Sequence, residues 1–262
     1  MDKTFSEEYL LTPSESNAQQ QLPVSLLISQ IIELATAHAN HLGIGFLKLD
    51  SMRVGWVLSR LTVEMRRWPA VGEKYKITTW VETWNRHYSE RCFSITDSSG
   101  ATVGFARTVW VIIDLDTHRS VGTANISFSE QLISDIPCPI QRQTKHRPFD
   151  FQKCVEYTFQ YTDLDFYRHV NTVKYVLLLL NQFPLECYDT STLSRFEIAF
   201  MNEAHFGEKA MIYSIEEETD TPEFVADVFR KKSLTTTFDI KTVDKPVLRS
   251  RMTFSLPENQ KG

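Results

Sequence analysis

Asp163, Asp165, His169 and Asn171 fall within one short stretch, Asp163-Leu-Asp-Phe-Tyr-Arg-His-Val-Asn171. Carboxylates beside an imidazole handle protons, and histidine titrates at ~6.5, close to working pH. Behind them Thr172 to Phe183 is nearly all apolar, the length of a buried helix and far too short to cross a bilayer. Asn171 is a good N-cap for that helix, because its side-chain oxygen accepts from the unpaired N–H groups that open it. The polar cluster then stands at the positive end of a helix dipole, which suits a developing oxyanion or a carboxylate held ionised. The same residues also read as a capped core helix entered through a polar turn, with no chemistry at all.

The elements that carry this cluster are written twice. In the first half, Thr4 to Thr12 is a candidate strand and Pro13-Ser-Glu-Ser-Asn17 a polar turn. Pro23 sits in the first turn of a helix running to about His41, with Gly43 as its stop. Val24, Leu26, Leu27, Ile28, Ile31, Ile32, Leu34 and Ala35 wrap much of its circumference, which predicts a buried helix. His38 and His41 stand one turn apart near its end, where contact with the helix dipole explains them more simply than a metal. Strands follow. Leu61, Val63 and Met65 alternate with Thr62, Glu64 and Arg66, the period of a half-buried strand. Tyr75 to Trp84, Glu90 to Asp97 and Ala101 to Asp114 continue the β-rich region.

The second half repeats that order. Ser59 to Ile77 aligns without a gap on Ser194 to Ile212, with six of nineteen positions identical, where ordinary composition predicts about one. The helix near Thr172 falls opposite the one near Pro23. One helix followed by an antiparallel sheet, present twice, is an α+β chain of two domains, residues 1–115 and 153–262. Between them, 116–152 holds Pro137, Pro139, Pro148 and the basic run Arg142-Gln-Thr-Lys-His-Arg147, as a linker over the surface does. The copies differ in chemistry: where the second has Asp163, Asp165 and His169, the first has Thr12 to Asn17 and no histidine. Opposite Glu203 stands Trp68. One armed copy predicts one active site per chain.

Composition narrows the classes further. At 262 residues, 42% apolar and 23% charged, the chain is an ordinary soluble globular protein in composition. A net charge of −5 argues against a general nucleic-acid binder. Cys92, Cys138, Cys154 and Cys187 are far apart and form no Cys-x-x-Cys pair, so reduced thiols in a cytoplasm are expected, without zinc or a disulfide framework. The acidic N-terminus resembles neither a secretory signal nor a transit peptide.

The stretch Asp163-Leu-Asp-Phe-Tyr-Arg-His-Val-Asn-Thr-Val-Lys-Tyr175 resembles the signature of the acyl-acyl-carrier-protein thioesterases, the plant fatty-acid thioesterases and their bacterial relatives. That family pattern runs Asp-Leu-Asp-x-Asn-x-His-Val-Asn-Asn-x-Lys-Tyr. The likeness extends through Trp56 to Pro69, Ala101 to Val111 and Phe200-Met-Asn-Glu-Ala204, so it covers most of the chain. It implies two tandem hotdog domains, each an antiparallel sheet wrapped around a central helix. It also implies hydrolysis of acyl-acyl carrier protein to free fatty acid, ending fatty-acid synthesis. Asp165, His169 and Glu203 fall on the family's catalytic positions, with Asn171 capping the helix whose amides face the oxyanion. Two residues depart from the pattern. Tyr167 replaces the family asparagine and donates no amide, and Ala204 replaces a cysteine once regarded as a nucleophile. No cofactor is expected, and a metal hydrolase built on Asp165 and His169 is a distant third reading because no further ligands stand at zinc-like spacing. The resemblance places the acyl slot in the first copy, near Met52-Arg-Val-Gly-Trp-Val57.

Whether a carboxylate activates water or attacks directly is left open by the sequence. The rival readings are an acyl-coenzyme A thioesterase and a non-catalytic acyl-binding hotdog protein in which Tyr167 marks lost activity. No nucleic acid and no membrane span is expected, and pairing of sheet edges into a homodimer remains open. The acidic carrier protein, presenting its acyl-phosphopantetheine, needs a basic patch, for which Arg66, Arg67, Arg142, Lys145 and Arg147 are the candidates. If that patch exists, raising salt slows turnover of carrier-bound substrate more than turnover of a small thioester. Equal salt responses in the two assays remove it.

Overall fold

A computed structural model describes residues 2–124, 126, 128–144 and 149–258. The chain forms two compact units, Met1–Val63 with Trp68–Arg142, and Glu64–Arg67 with Gln143–Gly262. Each is a helix followed by an antiparallel sheet, so the α+β tandem hotdog architecture holds.

In the first unit the elements run β1 (Thr4–Leu10), α1 (Val24–His41), α2 (Phe46–Ser51), β2 (Val54–Met65), β3 (Lys74–Trp84), β4 (Ser89–Asp97) and β5 (Thr102–Asp114). The strand order is β1-β3-β4-β5-β2, with β1, β3, β4 and β5 paired antiparallel. Leu27, Ile28, Ile31 and Leu34 of α1 are fully buried, and only Glu33, Thr36, Asn40 and His41 are exposed. Gly43, in the left-handed region at φ 71°, ends that helix. Trp56 donates its indole N–H to the Ile44 carbonyl at 2.9 Å and packs on Ala39, Leu42, Ile44 and Leu49.

The second unit runs β6 (Lys153–Thr158), α3 (Thr172–Leu180), α4 (Leu185–Thr190), β7 (Thr192–Phe200), β8 (Lys209–Asp220), β9 (Phe229–Thr242) and β10 (Pro246–Pro257). Its strands are ordered β7-β10-β9-β8-β6, again antiparallel. The apolar run beginning at Thr172 stops as a helix at Leu180 rather than Phe183, with Asn181 as the C-cap. Pro184 then opens α4, since proline favours the start of a helix. No helix among the described residues is long and apolar enough to cross a membrane.

Three expectations change. Thr62 and Glu64 are buried along with Leu61, Val63 and Met65, so this end of β2 is covered on both faces. Glu64 tolerates burial because Arg195, in the same unit, pairs with it and with Glu197. Second, His38 is not a cation at a helix end. Its Nδ1 lies 2.6 Å from the Arg91 guanidinium, and burial followed by the Arg91 charge lowers its pKa to about 3. Third, the stretch expected to run over the surface is bound to the first unit as far as Arg142. Ser134 donates its N–H to the Val81 carbonyl at 2.9 Å, Trp80 donates to the Ile136 carbonyl at 2.9 Å, and Ile140 is buried.

Arg107 holds that strap. It pairs with Glu82 and with Glu90 (2.8 Å), and donates to the carbonyls of Cys138 (3.2 Å) and Ile140 (3.4 Å). Arg142 closes on Glu90 from the other side at 2.8 Å. Burial pushes the Glu90 carboxyl up, but hydrogen bonds from Arg142 and Arg107 outweigh this and hold it below its ordinary range. Two of the basic-patch candidates are therefore occupied: Arg142 by this cluster, and Arg66 by Asp227 at 3.3 Å and the Phe224 carbonyl at 2.9 Å. Lys145 and Arg147 lie outside the described residues. Arg107→Met leaves Glu90 buried with half its partners and is expected to cost about 3–5 kcal/mol in urea unfolding. The lowered Glu90 contributes stability above the ordinary carboxylate range and loses it as pH falls through its folded value. The stability gap between wild type and Glu90→Gln should therefore close in acid.

Candidate active site

The loop from Gln160 to Asn171 is held by its own side chains. Asp163 is buried, and its Oδ2 accepts from the Tyr157 hydroxyl at 2.9 Å and the Gln160 N–H at 2.8 Å. Asp163 therefore builds the loop. Asp165 acts one step further on. Its Oδ1 accepts the N–H groups of Tyr167 at 2.9 Å and His169 at 3.1 Å, while its own N–H donates to the His169 carbonyl at 2.8 Å. An Asx turn of this kind fixes a chain without regular secondary structure. It forces Arg168 into the left-handed region at φ 67°.

His169 then pairs with His205 in an isolated antiparallel bridge, and Val170 donates its N–H to the Ala204 carbonyl at 2.9 Å. Those contacts bring the turn carrying Glu203 beside the loop. His169 Nε2 lies 3.4 Å from Glu203 Oε2, and the His169 and His205 rings meet edge to face at 5.1 Å. Both His169 and Glu203 are partly buried, open enough for a substrate to reach.

Asn171 caps α3 as expected, its Oδ1 accepting from Val173 N–H at 2.8 Å. The cap consumes donors. Lys174 and Tyr175 give their N–H groups to the Asn171 carbonyl at 3.0 and 3.3 Å. Of the first-turn amides, that of Thr172 alone has no such partner among the described residues. Tyr167 enters the loop through its backbone; its ring is 44% exposed and lies against Phe166 at 4.1 Å. Tyr175, one turn into α3, reaches back under the site. Burial pushes its phenol up and the carboxylates of Glu208, Glu203 and Asp165 add to this, so it stays protonated.

The first unit contains the same loop with different side chains. Asn17 Oδ1 accepts from Gln19 N–H (3.1 Å) and Gln21 N–H (2.8 Å), and Asn17 N–H donates to the Gln21 carbonyl (3.0 Å). Gln20 is left-handed at φ 59°, Gln21 bridges Ala70, and Leu22 donates to the Pro69 carbonyl at 2.8 Å. Hence Asn17 is the counterpart of Asp165, Gln21 of His169, Trp68 of Glu203 and Pro23 of Asn171. The backbone is the same; the imidazole and the acids opposite Asn17 and Trp68 are gone, while Glu15 stands where Asp163 does and accepts from Thr12 N–H at 3.3 Å.

Arg168 and His205, with Tyr161, Leu164 and Phe206, line a pocket of about 440 Å³ in the second unit. Motif spacing does not single out Arg168, His205 or Phe206. The one sequence signal for His205 is its place opposite Ala70 in the repeat, where the bridge to the histidine loop forms.

Two family profiles match the chain: the acyl-ACP thioesterase N-terminal domain over residues 2–125 and the acyl-ACP thioesterase C-terminal domain over 147–248. A crystal structure of an acyl-ACP thioesterase from Bacteroides thetaiotaomicron is similar at 29% identity with a TM-score of 0.84, covering 96% of this chain and 98% of that one. The 12:0-ACP thioesterase of Umbellularia californica shares the fold at a TM-score of 0.80 and 17% identity, over 97% of this chain and 94% of that one. Among curated proteins, the chloroplastic oleoyl-acyl carrier protein thioesterase 1 of Arabidopsis thaliana is 25% identical over 221 residues, 76% of this chain and 60% of that protein. The chain spans little more than half the length of the curated relatives it matches.

The repeat of the loop gives a stability test independent of any activity. Because Asn17 makes the same two amide contacts, Asp165→Asn is expected to keep its urea midpoint, within about 0.5 kcal/mol of wild type. Asp165→Ala strands both amides and should lose about 1–3 kcal/mol.

Proposed function

We propose, since this chain belongs to the acyl-ACP thioesterase family, that it hydrolyses the thioester joining an acyl group to an acyl carrier protein. The products are free fatty acid and the carrier's thiol. The observation that carries this reading is His169 Nε2 at 3.4 Å from Glu203 Oε2, on a loop whose geometry Asp165 sets.

Glu203 and His169 take a proton from water, whose oxygen attacks the thioester carbonyl carbon. The carbonyl oxygen, now negative, faces the start of α3, where the Thr172 amide and the helix dipole favour it. Collapse breaks the carbon–sulfur bond, and His169 returns the proton to the departing sulfur. Asp165 orients His169 through the backbone and adds negative charge behind the imidazolium. Tyr167 and Asn171 hold the loop and the helix start. Ala204, where a thiol stands in the family pattern, leaves no thiol nucleophile there, and this reading gives the attack to water.

The two domains divide the work in this proposal, 1–115 taking the acyl chain and 153–262 the chemistry. Gln21 and Trp68, which replace the histidine and the acid in the first copy, support that division. Four free cysteines support a reducing, cytoplasmic setting.

The decisive experiment assays purified Asp165→Asn, His169→Ala and Glu203→Gln on acyl-carrier substrate, with acyl-coenzyme A in parallel. Each variant is expected to lose about 100-fold or more in kcat while its circular dichroism matches wild type. Near-normal turnover in all three overturns the assignment.

A further inference from the structure

The pocket lined by Tyr161, Leu164, Arg168, His205 and Phe206 adjoins the reacting groups, since its His205 ring lies 5.1 Å from that of His169. Tyr161 and Phe206 leave large apolar faces uncovered, at 80% and 64% exposure, and exposed apolar surface of this kind beside a cleft marks a binding site. The guanidinium and imidazole on the same wall make it a poor berth for a long alkyl chain, whose burial would strip water from both without returning a hydrogen bond.

The first copy supplies a comparison. Its loop has the same backbone, yet Pro13, Ser16, Gln20, Ala70 and Val71 stand where Tyr161, Leu164, Arg168, His205 and Phe206 stand in the second. The first copy lacks the aromatic rings and the charge at all five positions. Only the loop that carries the histidine carries this lining. Arg168 sits at a left-handed φ of 67°, a conformation costly for a side chain of this size and natural for glycine. Gln20 takes the same conformation in the first copy at φ 59°, so the loop sets the backbone and the guanidinium is what the second copy adds.

We propose that this pocket binds the pantetheine arm of the thioester substrate. The proposal rests on the thioesterase reading of the adjoining site. The arm is slender, with two secondary amides and a geminal dimethyl group. Its amide carbonyls are acceptors for Arg168, and its methyl groups suit the Tyr161 and Phe206 rings. Binding there holds the sulfur toward His169 while the acyl chain leaves in the other direction. Arg168 is thus a specificity residue for the leaving group.

The test compares two thioesters of one acyl group, S-acyl pantetheine and S-acyl ethanethiol, which lacks the arm. In wild type the first has the higher kcat/KM. In Arg168→Gly, where glycine accepts the left-handed backbone, the ratio of the two is expected to fall about tenfold, the loss of one hydrogen bond between charged and neutral partners, and in Phe206→Ala about tenfold through the lost apolar contact with the arm's methyl groups. His169→Ala should slow both substrates and keep the ratio. An unchanged ratio in both pocket variants overturns the proposal. Acyl-coenzyme A and acyl-carrier protein share the arm, so the Arg168→Gly loss should be seen with each. A loss confined to the carrier-linked substrate overturns the pocket and assigns Arg168 to the carrier's protein surface. Calorimetric titration with pantetheine alone separates this proposal from the functional one. If wild type cleaves no thioester but binds pantetheine about tenfold more tightly than Arg168→Gly, the thioesterase reading falls and the pocket stands. Equal binding, or none, removes the pocket.

Discussion

One carboxylate oxygen, Oδ1 of Asp165, accepts the N–H groups of Tyr167 and His169, and the position of the imidazole follows from that grip. The loop has only one 3-10 turn, Tyr161–Asp163, and isolated bridges to align it, so its backbone donors need local acceptors. With Asp165 in place, His169 is presented to the bridge with His205, and that bridge brings Glu203 within reach. The helix start at Asn171 completes the arrangement by aiming a dipole at the same spot. Remove the Asx turn and the acid, the imidazole and the dipole lose their common reference.

Much of this was legible in the letters. Alternating apolar residues announced the strands, and the gapless match of Ser59–Ile77 to Ser194–Ile212 announced the duplication; β3 and β8 indeed begin at equivalent positions, Lys74 and Lys209. The Asn171 cap was readable because asparagine before an apolar run has one good use. What escaped the sequence depends on contacts made by folding. The true counterpart of Asp165 is Asn17, and only the shared hydrogen-bond pattern shows it, since the residues between differ entirely. His38 looked like a helix-end cation because Arg91, on a strand distant in sequence, could not be placed against it. The linker's ties to Arg107 were hidden for the same reason: they run to backbone carbonyls, which leave no mark on composition.

Buried charge is handled alike in both units. Arg107 answers Glu82 and Glu90 in the first, and Arg195 answers Glu64 and Glu197 in the second. Each guanidinium serves two carboxylates, which gives buried charge its partners where water is excluded. These clusters fix strands and strap. The acids of the histidine loop, by contrast, accept from backbone amides, with Asp163 also accepting the Tyr157 hydroxyl.

The matching turns at Asn17 and Asp165 have a genetic consequence. Had this protein been assembled from identical subunits, any amino-acid replacement would be imposed on both turns at once, and neither could specialise without harming its twin. Encoding them in tandem within a single reading frame removes that coupling. Gln21 and Trp68 can then differ from His169 and Glu203 without altering them.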